Sequence, residues 1–277
     1  MTTLLSIVFL LLSPLQHLMM MGSGNKGVAA AAGTPANYFL DMEAGNNNDA
    51  LTATIAGNGA HGTGCTWSVS TPIAQMIVST ASDLGAMLST FTADSMDYDN
   101  TGGTRGWYRD HNDTDDEYVR CTATTNSQVV STGGWFYTTL GTDALPSFAD
   151  FDLVQINGNS GADYCVFQLH DFTGSGAYEV RAHGDGTPAG GDLVTLSSST
   201  QYWYTLQYDS TVNATCKLNI YNTGGTQVGS TSTAGIGGTT TVNQIDIGAK
   251  PHGVAIARFT RYDGHVFDWT NGLFPLK

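Results

Sequence analysis

Short segments of alternating apolar and polar residues, broken by Gly, Ser, Thr and Asn, fill this chain after about residue 37. Alternation with period two puts successive side chains on opposite faces of a strand. Many such segments with Gly-rich turns build a sandwich or a barrel. In 151–157, Val154 and Ile156 share one face, and Gln155 and Asn157 share the other. In 164–170, Cys165, Phe167 and Leu169 oppose Tyr164, Gln168 and His170. In 178–183, Tyr178, Val180 and Ala182 oppose Glu179, Arg181 and His183. Short loops join these three segments, which predicts an antiparallel meander. A second hairpin is expected from 202–208 and 215–221, closed by the turn Asn222-Thr223-Gly224-Gly225. Further strands are expected at 227–230, 242–248 and 254–262, and no amphipathic helix after residue 37.

The two ends of the chain match each other. Near the start stands Phe39-Leu40-Asp41-Met42-Glu43, and near the finish Asp263-Gly264-His265-Val266-Phe267-Asp268-Trp269. Both are short apolar strands carrying acids. A sandwich whose first and last strands lie side by side has this pattern.

Composition narrows the function classes. Charged residues make up only 12% of the 277 residues, yet Tyr, Trp, Phe, Val, Ile and Leu recur throughout. A sizeable core is therefore expected instead of disorder. The formal net charge is −14, with only 10 Lys and Arg. That excludes a nucleic-acid partner, which needs clustered cations on phosphates, and disfavours anionic membrane surfaces. The apolar run from Leu4 to Leu12 is too short to span a bilayer. With the Ala-rich stretch 27–33 behind it, this run reads as a signal peptide at 1–33. The alternative is an N-terminal arm that docks on a partner in an assembly. Residues 34–277 form one domain. Cys65, Cys121, Cys165 and Cys216 have no C-x-x-C spacing, which excludes a zinc motif. Three disulfide pairings are open, and buried free thiols are an equal alternative.

The order along the chain is a strand with Trp203, a strand ending in Asn222-Thr223-Gly224-Gly225, the short strand Gln227-Val228-Gly229-Ser230, then Ile245-Asp246-Ile247-Gly248. With the matched ends, this order resembles the concanavalin-A-like superfamily, and within it the laminin-G-like jelly rolls, over residues 37–277. The resemblance implies an all-β sandwich of two curved antiparallel sheets with a concave face that often holds glycans. It also implies a structural calcium on the convex side. By that resemblance, Glu43 and Asp263 lie where the first and last strands meet and are the calcium candidates. Two adjacent carboxylates repel, and a hard cation removes that cost. Asp97-Tyr98-Asp99-Asn100-Thr101-Gly102 and the acidic stretch 110–117 are weaker calcium candidates, since neither has a complete ligand pattern.

The meander carries the candidate carbohydrate site. Gln155, Asn157, Gln168, His170, Glu179 and Arg181 present amide, imidazole, carboxylate and guanidinium groups on one side of three strands, and such groups hydrogen-bond sugar hydroxyls. The competing reading is a solvated sheet face. A second candidate is Arg105 with Trp107, where an indole face stacks on a sugar ring. The bland alternative there is a core tryptophan between two surface arginines.

Catalysis has less support. Retaining glycosidases need two carboxylates about 5–5.5 Å apart. The chain's three glutamates, Glu43, Glu117 and Glu179, fall in no Glu-x-Asp-x-Glu pattern of the laminarinase type. Gln155-Ile156-Asn157-Gly158 is similar to the Gln-Ile-His-Gly strand of jelly-roll alginate lyases, but Asn157 stands at the histidine position and cannot exchange a proton near neutral pH. Gln168-Leu169-His170 repeats a Gln-x-His on the next strand. The expected role is a non-catalytic extracellular carbohydrate-binding or adhesion domain. The alternatives are a structural surface protein of a virion or other assembly, and a polysaccharide lyase or glycosidase with an atypical site. Asn112-Asp113-Thr114 and Asn213-Ala214-Thr215 are glycosylation sequons.

Overall fold

The computed structural model describes residues 38–40, 42, 44–46, 48–58, 60–61, 65–70, 76–80, 105–110, 117–139, 150–158, 163–170, 177–184, 193–211, 213–234, 241–251 and 259–269. The first elements are β1 (Tyr38–Leu40), α1 (Ala53–Asn58), β2 (Ala60–His61), β3 (Cys65–Val69), β4 (Met76–Thr80) and β5 (Arg105–Asp110). The middle of the chain gives β6 (Val119–Ser127), β7 (Val129–Thr139), β8 (Asp150–Asn157), β9 (Asp163–His170) and β10 (Ala177–His183). The last third gives β11 (Val194–Ser197), β12 (Thr200–Asp209), β13 (Thr215–Tyr221), β14 (Gln227–Ala234), β15 (Val242–Pro251) and β16 (Phe259–Asp268).

These strands form two antiparallel sheets. The larger runs β14-β13-β12-β7-β16-β1-β2, with β5 on β16 and β4 on β5. The smaller is seven-stranded and runs β11-β10-β9-β8-β15-β6-β3. The expected meander is present as β8-β9-β10, and the expected hairpin as β12-β13. The ends of the chain also pair as expected, with Tyr38 opposite Phe267 and Leu40 opposite His265. Asn222 builds the turn after β13. Its Oδ1 accepts from the backbone N–H of Gly224 and Thr226, and Gly225 takes φ 75°, which suits glycine.

Two local expectations need correction. A one-and-a-half-turn helix, α1, does form. Thr52 caps it, its Oγ1 accepting from the Ile55 N–H at 3.1 Å, and Ala56 is its buried residue. The segments expected at 254–262 and from Asp263 to Trp269 share one strand over the described residues, Phe259–Asp268, with a register shift between Asp263 and Val266.

The core lies between the sheets, where the inward-facing residues of the strands meet. Phe136 of β7 and Tyr204 of β12 pack against Phe167 of β9, with ring centroids 5.0 and 4.9 Å apart. Such pairs add about 0.5–1.5 kcal/mol beyond simple burial. Tyr262 of β16 donates its hydroxyl to the Leu153 carbonyl of β8 at 3.3 Å, a polar tie across the core. The cysteines settle into two bridges. Cys165–Cys216 joins β9 to β13 and so ties one sheet to the other, while Cys65–Cys121 joins the neighbours β3 and β6. Among the described residues, no helix is long and apolar enough to cross a membrane.

Candidate functional site

The site is built on the face of the seven-stranded sheet that points away from the core. Cys165, Phe167 and Leu169 face the core from β9, so Gln168 and His170 take the other side. Tyr178, Val180 and Ala182 do the same on β10 and leave Glu179, Arg181 and His183 opposite. Register places Arg181 opposite Gln168, and Gln168 opposite Asp152.

A register shift between Asp152 and Val154 changes what β8 presents. Phe151, Leu153, Val154 and Ile156 all enter the core. The extra residue at Leu153 lets Asp152 and Gln155, three apart, share the outer face. In a regular strand they would oppose each other.

The result is one hydrogen-bonded ladder of seven side chains over β10, β9, β8, β15 and β6. Arg181 Nε donates to Gln168 Oε1 at 2.7 Å, and Gln168 Nε2 donates to Asp152 Oδ1 at 3.0 Å. Gln155 Nε2 donates to Asp152 Oδ2 at 2.9 Å, so both oxygens of that acid are engaged. Asn157 Nδ2 donates to Gln155 Oε1 at 3.4 Å and to Asp246 Oδ2 at 2.7 Å. Arg120 closes the ladder with a fork onto Asp246, Nε to Oδ1 at 2.6 Å and Nη2 to Oδ2 at 2.7 Å. Its guanidinium also lies 4.9 Å over the Tyr118 ring. Charge-assisted forks of this kind are the stronger hydrogen bonds and fix geometry as well as energy.

The ladder is buried. Gln155, Asn157, Gln168, His170, Arg181, Asp152 and Asp246 are each at most 5% exposed, so this is not the solvated face that the alternation also allowed. Arg120, at 24% exposed, is its most open member. Two acceptors on this face are unspent. Asn157 Oδ1 and Gln244 Oε1 are buried and accept no hydrogen bond, and their residues stand opposite each other on β8 and β15. The Asn157 amide cannot be reversed without turning its oxygen onto the Asp246 carboxylate.

Beside the ladder runs a second row. Glu179 of β10 stands opposite His170 of β9, and His170 stands opposite Asp150 of β8. Sequence reasoning found Gln155, Asn157, Gln168, His170, Glu179 and Arg181, and the structure brings all six onto one sheet face. It missed Asp152, Asp246, Arg120 and Gln244.

The second carbohydrate candidate is corrected. Trp107 of β5 is 1% exposed and belongs to the hydrophobic core, so its ring offers no open face to a sugar. Arg105 is half-buried on the same strand. Arg109, expected at the surface, is fully buried, and its Nη1 pairs with Glu117 Oε2 at 3.3 Å. That stretch is interior. The aromatic pair on an outer face is elsewhere, where Trp135 of β7 and Trp203 of β12 pack edge to face at 5.2 Å, both buried.

The calcium candidates fare differently. Glu43, the 97–102 stretch and residues 111–116 lie outside the described residues. Asp263 is fully buried on β16 opposite Trp135. A calcium ion takes about six to eight oxygens. Among the described residues no group of three or more His, Cys, Asp or Glu is arranged to hold a metal.

The sequence matches no protein-family model and no curated protein. Solved structures do match. The receptor-binding domain of botulinum neurotoxin type G aligns with TM-score 0.43 and 10% identity, over 86% of this chain and 49% of that one. This chain thus spans about half the length of that domain. A Shewanella oneidensis MR-1 protein of unknown function aligns with TM-score 0.46 and 10% identity, over 99% and 100% of the two chains. The alginate lyase Aly36B, solved with an alginate trisaccharide, aligns with TM-score 0.44 and 11% identity, over 86% and 99%. Two antiparallel sheets packed face to face, with the first and last strands paired, make this chain an all-β sandwich. The likeness is one of fold.

Proposed function

We propose that this domain binds carbohydrate without transforming it, as an extracellular recognition or adhesion module. The observation that carries the reading is the ladder from Arg181 to Arg120, a row of rigid amide and charged groups on one sheet face with two amide oxygens left to accept. Side chains held on strands by mutual hydrogen bonds are pre-organised, which lowers the entropy cost of engaging a ligand. The same bonding argues against catalysis by the ladder. Both oxygens of Asp152 and both of Asp246 already accept hydrogen bonds from within the ladder, so a substrate would have to displace one of those donors to reach either acid. Two disulfides fit an oxidising compartment.

One observation favours a second reading. Register aligns Glu179, His170 and Asp150 across three neighbouring strands, and those residue types side by side suit general-base chemistry in a lyase or hydrolase. The structural virion or assembly role rests on residues 1–33, which lie outside the described residues. Calcium at Glu43 with Asp263 is a further part of the proposal. Chelation is then expected to lower the melting temperature and Glu43→Gln to blunt the response, and an unchanged melting curve removes calcium from the account.

Affinity electrophoresis of the full chain through polysaccharide gels tests the main reading. The parent is expected to be retarded, and the Gln168→Ala, Arg181→Ala double variant to run free while keeping its circular dichroism. A double variant that binds as well as the parent places the site elsewhere.

A further inference from the structure

We propose that the polar face accepts a neutral, hydroxyl-rich glycan and rejects uronate and sulfated polymers. This rests on the carbohydrate reading above and names the ligand class for the same face. The first ground is what the site still offers. Asn157 Oδ1 and Gln244 Oε1 are acceptors without donors, and they stand opposite each other across the β8–β15 pairing. Both oxygens are buried, so a sugar hydroxyl reaches them only by displacing the groups that cover them, and it then brings a donor to each. A carboxylate or sulfate ester brings only acceptors, so it meets these two oxygens with repulsion.

The second ground is charge. Among the described side chains of this face, Arg120 and Arg181 stand against Asp152, Asp246 and Glu179. The Arg120 guanidinium is held by both oxygens of Asp246, and Arg181 Nε is committed to Gln168, which is itself held on Asp152. An anionic sugar would have to displace a buried carboxylate from its arginine, which leaves a buried charge uncompensated. The third ground is the field of the whole molecule. A net charge of −14 repels a polyanion before contact is made.

The test uses the full-length chain at about pH 8, where imidazoles of ordinary basicity are neutral. The chain is run through gels containing mixed-linkage β-glucan, galactomannan, alginate or carrageenan. Retardation by a neutral polymer and none by alginate or carrageenan is expected. Gln244→Met, which keeps the bulk and removes the acceptor, is expected to weaken neutral binding up to about tenfold. Asp246→Asn releases Arg120 from its counter-charge and is expected to gain alginate retardation that fades with added salt. Should Asp246→Asn fail to fold, Glu179→Gln removes a half-buried acid from the same face and is expected to raise alginate retardation in the same direction. A parent retarded by alginate or carrageenan more than by any neutral polymer overturns the charge argument and leaves carbohydrate binding standing. A parent retarded by none of the four overturns the carbohydrate reading itself.

Discussion

His265 lies directly over Gly134, so close that a Cβ at position 134 would sit 2.5 Å from both Nδ1 and Cε1 of the imidazole. The ring is fully buried on β16, with Tyr204 at 5.6 Å and Phe267 at 6.4 Å between centroids. Gly134 sits mid-strand in β7, opposite Tyr204. Glycine is unfavourable in a strand interior, and here it marks a close approach.

The Gly134–His265 pair is therefore expected to behave as a unit. Gly134→Ala forces the ring aside and is expected to cost about 1–3 kcal/mol, the usual range for overpacking. His265→Ala opens the space and is expected to relieve the penalty of Gly134→Ala in the double variant. Urea unfolding of the four proteins checks this, and simple additivity would show that the two residues do not interact.

His265 also ties stability to pH. Burial pushes its pKa down from 6.5 to about 3, and neither ring nitrogen has a hydrogen-bond partner. The folded state therefore holds the neutral ring. The unfolded chain takes up a proton as pH falls below about 6.5, so stability is complete above that point and is lost toward pH 3. At pH 5 the loss from this group is expected to be about 2 kcal/mol. Urea melts at pH 8 and pH 5 for the parent and for His265→Phe measure it, with the difference confined to the parent. Equal pH dependence in both proteins contradicts the assignment.

Reduction is expected to weaken the sandwich where the sheets are tied. Cys165–Cys216 closes a loop with a sequence separation of 51, which chain-entropy arguments value at about 4 kcal/mol. The Cys165→Ala, Cys216→Ala double variant is expected to melt well below the parent. Intact mass after alkylation without reductant is expected to show no modified thiol, since the described cysteines are all bridged.

Turnover is not expected. Alginates, β-glucans and galactans incubated with the chain are expected to yield no new reducing ends and no unsaturated products. Activity that disappears in His170→Ala would transfer the function to the row of Glu179, His170 and Asp150.

What was legible in the sequence was local. Alternation alone assigned Gln168 and Arg181 to one face, because β9 and β10 pair in regular register and follow closely on one another in the chain. The pairing of the two chain ends was legible because both carry the same apolar pattern. Asp152 was not, because the register shift at Leu153 reverses the parity that alternation assumes. Asp246 and Arg120 were not, because β15 slots between β8 and β6 and brings together residues 126 positions apart. Trp107 was ambiguous from sequence, since an indole serves equally in a core and in a sugar platform. The contacts across the sandwich decide it.

The central claim is that a sugar meets the outer polar face of the seven-stranded sheet at Asn157 and Gln244. Nuclear magnetic resonance of the full chain, isotope-labelled at asparagine and glutamine side-chain amides, tests it most directly. Titration with a neutral oligosaccharide from a polymer that retards the chain is predicted to shift the Asn157 and Gln244 amide signals. It is also predicted to leave Asn219, which donates to Thr205 on the opposite sheet, unmoved. Saturable binding that leaves the Asn157 and Gln244 signals in place would contradict the account.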